Sequence, residues 1–123
     1  MKLSFLNHSG FLLDDGHRAY VFDYFKDPAD LVKKAQAEGR ELWFFATHLH
    51  GDHCFGLLGL ISSFGLLGRT ADLHIYSPAG LEELLQPMLK FFCDNLPYKV
   101  FFHAFETKRP TLIYEDRSLT VTT

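Results

Sequence analysis

Only two cysteines occur in the 123 residues, Cys54 and Cys93, and they lie far apart in sequence, which excludes a disulfide framework. Long basic runs are also missing. Nothing exceeds the pairs Lys33-Lys34 and Lys108-Arg109, and the formal net charge is -3, so whole-chain charge does not advertise a polyanion partner. No apolar stretch approaches the roughly 20 residues of a membrane span, because Leu57 to Leu67 is interrupted by Gly59, Ser62, Ser63 and Gly65. Met1-Lys2-Leu3 is not the start of a signal peptide, so no membrane and a cytoplasmic location are expected. Internal repeats and low-complexity segments are absent, and the length leaves room for one domain over 1–123.

What the chain does hold is apolar and aromatic. Hydrophobic residues make up 47% and Phe occurs 13 times, which points to half-buried strands and a tightly filled core. Lys2–Leu6, Phe11–Leu13 and Arg18–Phe25 read as a meander, turning at Asp14-Asp15-Gly16-His17. Asp27-Pro28 reads as a helix start and Gly39 as its stop, with Leu31, Val32 and Ala35 as the buried stripe. Leu42-Trp43-Phe44-Phe45-Ala46, without polar alternation, suits an interior strand covered on both faces. A helix is expected over Phe55 to about Gly65, a strand at Asp72–Tyr76, and a helix capped by Ser77-Pro78 that runs to about Asn95. Tyr98–Glu106, Thr111–Tyr114 and Ser118–Thr123 read as strands. The chain ends inside the last of these, which leads us to expect an incomplete domain.

Chemistry concentrates at the end of the interior strand. His48, His50, Asp52 and His53 place three imidazoles and a carboxylate within six residues. In apolar surroundings such a group is costly to desolvate unless a divalent ion compensates, and borderline nitrogen donors favour zinc. His48 and His50 would face a first ion, Asp52 and His53 a second, with Gly51 allowing a tight reversal between the pairs. Two ions sharing a hydroxide make hydrolysis the default reaction, set against a structural metal site or a plain cluster of surface histidines. His17, His74 and His103 read as surface or packed residues, and Cys54 as a buried small hydrophobe. The pairs Phe91-Phe92 and Phe101-Phe102 read as core or interface. His8 stands before Ser9-Gly10 at a strand end, either as an additional ligand or as a turn residue.

The pattern His-x-His-x-Asp-His resembles the signature of the metallo-β-lactamase superfamily. The longer run Thr47 to Ser63, then Phe64 to Thr70, Leu73 to Leu85 and Tyr114 to Thr123, is similar to the ribonuclease Z family of tRNA 3′-processing endonucleases. This likeness spans about residues 45–123. It implies an α/β fold, the N-terminal half of an αββα sandwich with a mixed sheet and flanking helices. It also implies two zinc ions, Asp52 as a catalytic carboxylate, and precursor tRNA as partner. Asp23 resembles the aspartate of this superfamily that hydrogen-bonds the metal loop without binding metal.

Residues 1–41 resemble another branch, small lactonase-like hydrolases of the His-Ser-Gly-Phe type, through His8-Ser9-Gly10-Phe11. The two likenesses meet near residues 42–46, as they would in a chimeric, divergent or truncated chain. The family's third histidine on the first zinc, its bridging aspartate and its final histidine have no counterpart here. Whether the chain is an enzyme is therefore left open, with little or no turnover expected of it alone; the alternatives are a lactonase-like hydrolase and a non-catalytic fragment that keeps the loop. An uncovered sheet face would favour a homodimer or larger assembly.

Overall fold

The computed structural model describes residues 1–123. Strands β1 (Lys2–Asn7), β2 (Gly10–Asp14) and β3 (Arg18–Phe22) form the expected antiparallel meander. Its second turn is closed by carboxylates: Asp14 accepts from the Gly16 N–H at 2.7 Å, and Asp15 from the N–H groups of His17 and Arg18 at 2.9 and 2.7 Å. There follow α1 (Leu31–Ala37), β4 (Glu41–Phe45), α2 (Gly51–Cys54), α3 (Gly56–Leu66), β5 (Leu73–Pro78), α4 (Leu81–Phe92) and β6 (Val100–Phe105). A hairpin of β7 (Leu112–Glu115) and β8 (Thr120–Thr122) ends the chain. One six-stranded mixed sheet runs in the order β1-β2-β3-β4-β5-β6, with β3 to β6 parallel. Its order follows the sequence because each parallel step is bridged by helical chain.

Several element boundaries differ from the sequence expectation. The first helix starts at Leu31 and not at Pro28: the Asp27 carboxylate reaches in to accept from the Val32 N–H at 2.7 Å, while Asp30 turns left-handed at φ 54°. Gly39, at φ 79°, does stop it. Ser77-Pro78 does not cap α4. It closes β5, where Pro78 lies opposite Phe105, and Gly80 at φ 109° makes the turn into a helix that ends at Phe92 rather than Asn95. β3 ends at Phe22 instead of Phe25 because Asp23 adopts φ 51°.

The period of two along each strand sorts the residues between two layers. Toward the helices point Leu6, Leu12, Ala19, Val21, Leu42, Phe44, Leu73 and Ile75, which meet Val32, Leu57, Ile61, Phe64, Leu81 and Leu85 in one core. The opposite face is lined by two in-register rows, Phe5-Phe11-Phe22-Phe45-Tyr76-His103 and Leu3-Leu13-Tyr20-Trp43-His74-Phe101. In the first row the neighbouring rings from Phe11 to His103 stack at 4.5–5.1 Å and within 19° of parallel. His74 and His103 join the rows through an imidazole–imidazole hydrogen bond of 2.9 Å, and burial, with His74 beside it, lowers the pKa of His103.

That second face is not bare, contrary to expectation. The β7–β8 hairpin lies across its centre: Tyr114 packs edge-on to Tyr20, Phe45 and Tyr76 and tilts against Trp43. Asp116 fastens the hairpin, accepting from the hydroxyls of Tyr20 and Tyr114 at 2.6 and 2.5 Å. Residues 42–46, where the two likenesses meet, lie inside this sheet, bonded to β3 on one side and β5 on the other. No helix is long and apolar enough to cross a membrane.

Candidate metal centre

The site lies at the C-terminal ends of β3 and β4, where side chains of parallel strands meet solvent. Asp23 is its fixed point. Its left-handed backbone, held by Asp23 N–H donating to the Phe45 carbonyl at 2.8 Å, turns the carboxylate under the following loop. There Asp23 is 3% exposed and accepts from the Thr47 N–H at 2.7 Å and from the Thr47 hydroxyl at 2.9 Å. Its other close partner is the ring of His53, with Nδ1 at 3.0 Å. A buried carboxylate needs such partners to offset lost hydration, and here they tie β3, β4 and α2 together.

His53 lies inside α2 and is nearly buried, so the expected loop is loop only as far as His50. Its second nitrogen faces Asp52, Nε2 to Oδ2 at 3.3 Å, and the Asp52 side chain is half exposed. The His48 ring packs on His53 with centroids 3.6 Å apart and on His50 at 4.7 Å, and Thr47 Oγ1 lies 3.1 Å from His48 Nδ1. Gly51 serves a different purpose from the one expected. It starts α2 without a positive φ, and a Cβ there would meet the Phe55 ring at 2.6 Å. Cys54 is buried, its thiol near the His50 carbonyl at 3.5 Å, and burial raises its pKa, as suits an inert packed residue.

Of the candidates read from the sequence, His48, His50, Asp52, His53 and Asp23 come together and His8 does not. The His8 ring stands edge-on to Phe25 at 5.3 Å. Its neighbour Ser9 reaches the site instead, with Oγ 3.2 Å from His53 Nδ1. Ser9 and Thr47 are the two functional neighbours that sequence reasoning missed. Thr47 directly precedes His48 in the matched run, but nothing in a single sequence marks Ser9 as facing a histidine 44 positions away.

In kind, three imidazoles and a carboxylate fit a zinc-type ion. In arrangement they do not complete a site: no three His, Cys, Asp or Glu side chains are placed to hold one ion, and both nitrogens of His53 already face carboxylates. Beside Thr47 a cavity of about 260 Å³ opens between sheet and hairpin, walled by Phe22, Phe45, Phe105 and Ile113.

No family model matches the chain. Ribonuclease Z of Bacteroides thetaiotaomicron is 78% identical over 79 residues, 64% of this chain and 25% of that protein. The Bacteroides fragilis ribonuclease Z is 72% identical over 79 residues, and that of Porphyromonas gingivalis 51% over 83, which is 68% of this chain and 27% of that one. The chain thus spans about a quarter of the length of the curated relatives it matches. Its fold is similar to that of human tRNase Z, short form, with a TM-score of 0.71 and 21% identity over 93% of this chain and 50% of that one. The mixed α/β architecture is the metallo-β-lactamase type expected from the sequence. These comparisons lend no support to a chimeric origin.

Proposed function

We propose that the chain carries the metal-loop half of a zinc-dependent phosphodiesterase site of the ribonuclease Z kind, directed at the 3′ ends of precursor tRNA, and that alone it turns over little or no substrate. The observation that carries this reading is the clamp Asp23–Thr47–His53, which fixes a His48-His50-Asp52-His53 donor set at the C-terminal ends of parallel strands. The high identity to proteins named ribonuclease Z supports the choice of substrate class.

His48 and His50 would hold one ion, Asp52 and His53 a second, and Asp23 orients His53 from beneath. A pair of such ions, when bound, supplies a water that ionises near neutrality and a counter-charge for a phosphodiester. Asp52, half exposed in the first turn of α2, is the carboxylate able to exchange a proton with substrate. A catalytic zinc takes three protein ligands as a rule, and two per ion leave this set short. The chain's setting is cytoplasmic, and self-association is part of the same reading.

A small-molecule hydrolase is the second reading. It is favoured by Ser9 on His53 and by the largely apolar cavity next to Thr47, which suits an acyl or lactone group better than a polyanion. Zinc analysis with parallel assays on precursor tRNA and on a lactone panel separates the readings. We expect fewer than two tightly held zinc ions per chain and no appreciable tRNA cleavage. Zinc-dependent cleavage of precursor tRNA by the isolated chain would show it to be a complete enzyme, lactone turnover alone would move the assignment to the second reading, and a complete lack of zinc affinity would leave only a non-catalytic fragment.

A further inference from the structure

The stacked row of the second face ends on an open ring. β6 is the last strand of the sheet, so His103 has Tyr76 and His74 as ring neighbours, at 4.5 and 5.2 Å, and no ring beyond it. Its Nε2 is taken by His74, whereas Nδ1 has no partner in the chain. Burial, with His74 beside it, lowers its pKa, so the ring stays neutral at neutral pH. His103 lines a cavity of about 730 Å³, within the roughly 300–1,000 Å³ of small-molecule sites. Lys108 and Arg109 line the same cavity, and neither makes an ion pair within the chain. Glu106 is the one carboxylate there, so the two cations outnumber it. The backbone under the basic pair is fixed. Thr111 and Thr123 donate their hydroxyls to the Arg109 carbonyl at 3.1 and 3.2 Å, and the Thr111 N–H donates to the Thr123 hydroxyl at 3.0 Å. Less ordering is then needed when a ligand arrives.

We propose that this cavity binds a free ribonucleoside monophosphate, with the base on His103, the phosphate on Lys108 and Arg109, and a ribose hydroxyl donating to Glu106. Each part of the ligand answers one feature of the wall. A base continues the aromatic stack at no cost in hydrogen bonds, a phosphate supplies the anion that a guanidinium and an ammonium lack, and sugar hydroxyls supply donors to a carboxylate. An apolar ligand would leave three charges facing it, and inorganic phosphate would leave the ring unused. One terminal ring and one basic pair define a single nucleotide and not a strand. The site stands apart from the metal loop, because neither Asp23 nor any residue of Thr47–His53 lines it.

Calorimetric titration of the whole chain with AMP tests the site, in the presence of a chelator so that the metal loop plays no part. Adenosine, inorganic phosphate, 2′,3′-dideoxy-AMP, CMP and a short oligoadenylate are titrated beside it. The expected result is saturable one-to-one binding of AMP, weaker by roughly tenfold or more for adenosine and for phosphate, which each lack half of the contacts. CMP should bind nearly as well as AMP, since stacking tolerates any base. Lys108→Ala with Arg109→Ala leaves the fold intact, both side chains being exposed, and weakens AMP roughly tenfold or more while adenosine changes little. Glu106→Gln narrows the preference for AMP over its dideoxy analogue. An upfield shift of the His103 ring protons on addition of AMP, read by NMR, places the base on that ring. No saturable binding of AMP, phosphate bound as tightly as AMP, or AMP binding indifferent to the double substitution would overturn the proposal. Tighter binding of the oligoadenylate than of AMP through the same residues would overturn it too, since the cavity would then belong to an RNA strand.

Discussion

Asp23 concentrates the most consequence in one side chain. Its carboxylate serves Thr47 N–H, the Thr47 hydroxyl and the His53 ring while shielded from solvent, so removing it strands several polar groups at once. Asp23→Ala is expected to cost about 1–3 kcal/mol of stability, the penalty of leaving buried donors unpaired, read as a lower midpoint in urea denaturation. The same substitution should weaken zinc binding roughly 10- to 100-fold, since an imidazole freed from its second partner no longer points its donor. Asp23→Asn keeps the shape and an acceptor for the Thr47 N–H, but puts its NH2 in place of the oxygen that faces the Thr47 hydroxyl and His53 Nδ1. It should recover stability only in part, as a chelator-competition titration and a denaturation curve measured together would show. At this scale the sequence was informative where a residue's type and its place at a strand end coincide, as for Asp23. It failed at His8 and Ser9, because which of two adjacent turn residues faces the site depends on the left-handed backbone of His8, φ 52°.

Among the elements, the β7–β8 hairpin is held by the bonds of Asp116 together with the aromatic packing of Tyr114. Burial would raise the pKa of Asp116, but the Tyr114 and Tyr20 hydroxyls and the N–H groups of Ser118 and Leu119 outweigh it, holding this carboxyl well below the usual carboxylate range. Tyr20, buried and bonded to Asp116, is pushed up to about 12. Asp15 is held at about 2, its burial being outweighed by bonds from Ser118 and from the Arg18 and His17 N–H groups. A carboxyl whose pKa is depressed by folding stabilises the native state in full above its unfolded value near 3.8, and the contribution is lost as the pH falls through the lower native values. The hairpin should therefore loosen progressively as the pH falls from about 4 toward 2, before the helix-side core does. Tyrosine fluorescence should report that step ahead of the far-ultraviolet dichroism, and in Asp116→Asn it should weaken or vanish. The strands themselves were legible in sequence, yet the seat of the hairpin was not: a bond between positions 20 and 116 leaves no local pattern.

For the molecule as a whole, the tightest constraint is the approach of α3 to the segment that leaves β3. A Cβ at Gly56 would stand 2.4 Å from the Phe25 carbonyl and 2.6 Å from the Tyr24 ring, and backbone cannot yield as a flexible side chain can. Gly56→Ala is expected to destabilise the chain by about 1–3 kcal/mol through overpacking. Gly59→Ala in the same helix meets nothing within 4 Å and should be neutral or slightly stabilising by helix propensity, so thermal midpoints of the two variants make a controlled comparison. By itself the sequence determined the alternation of strands and helices, the mixed α/β class and the His48–His53 donor set, because hydrophobic period and residue chemistry are local properties. Only the tertiary structure decided that six strands align their aromatics into two rows, that the hairpin covers the centre of that face, and that β1 is left open. Register and edge position arise from contacts between residues far apart in sequence. The same holds for the metal loop: its ligand types are written in six consecutive residues, but whether enough of them surround an ion is settled by what the rest of the fold brings to the same place.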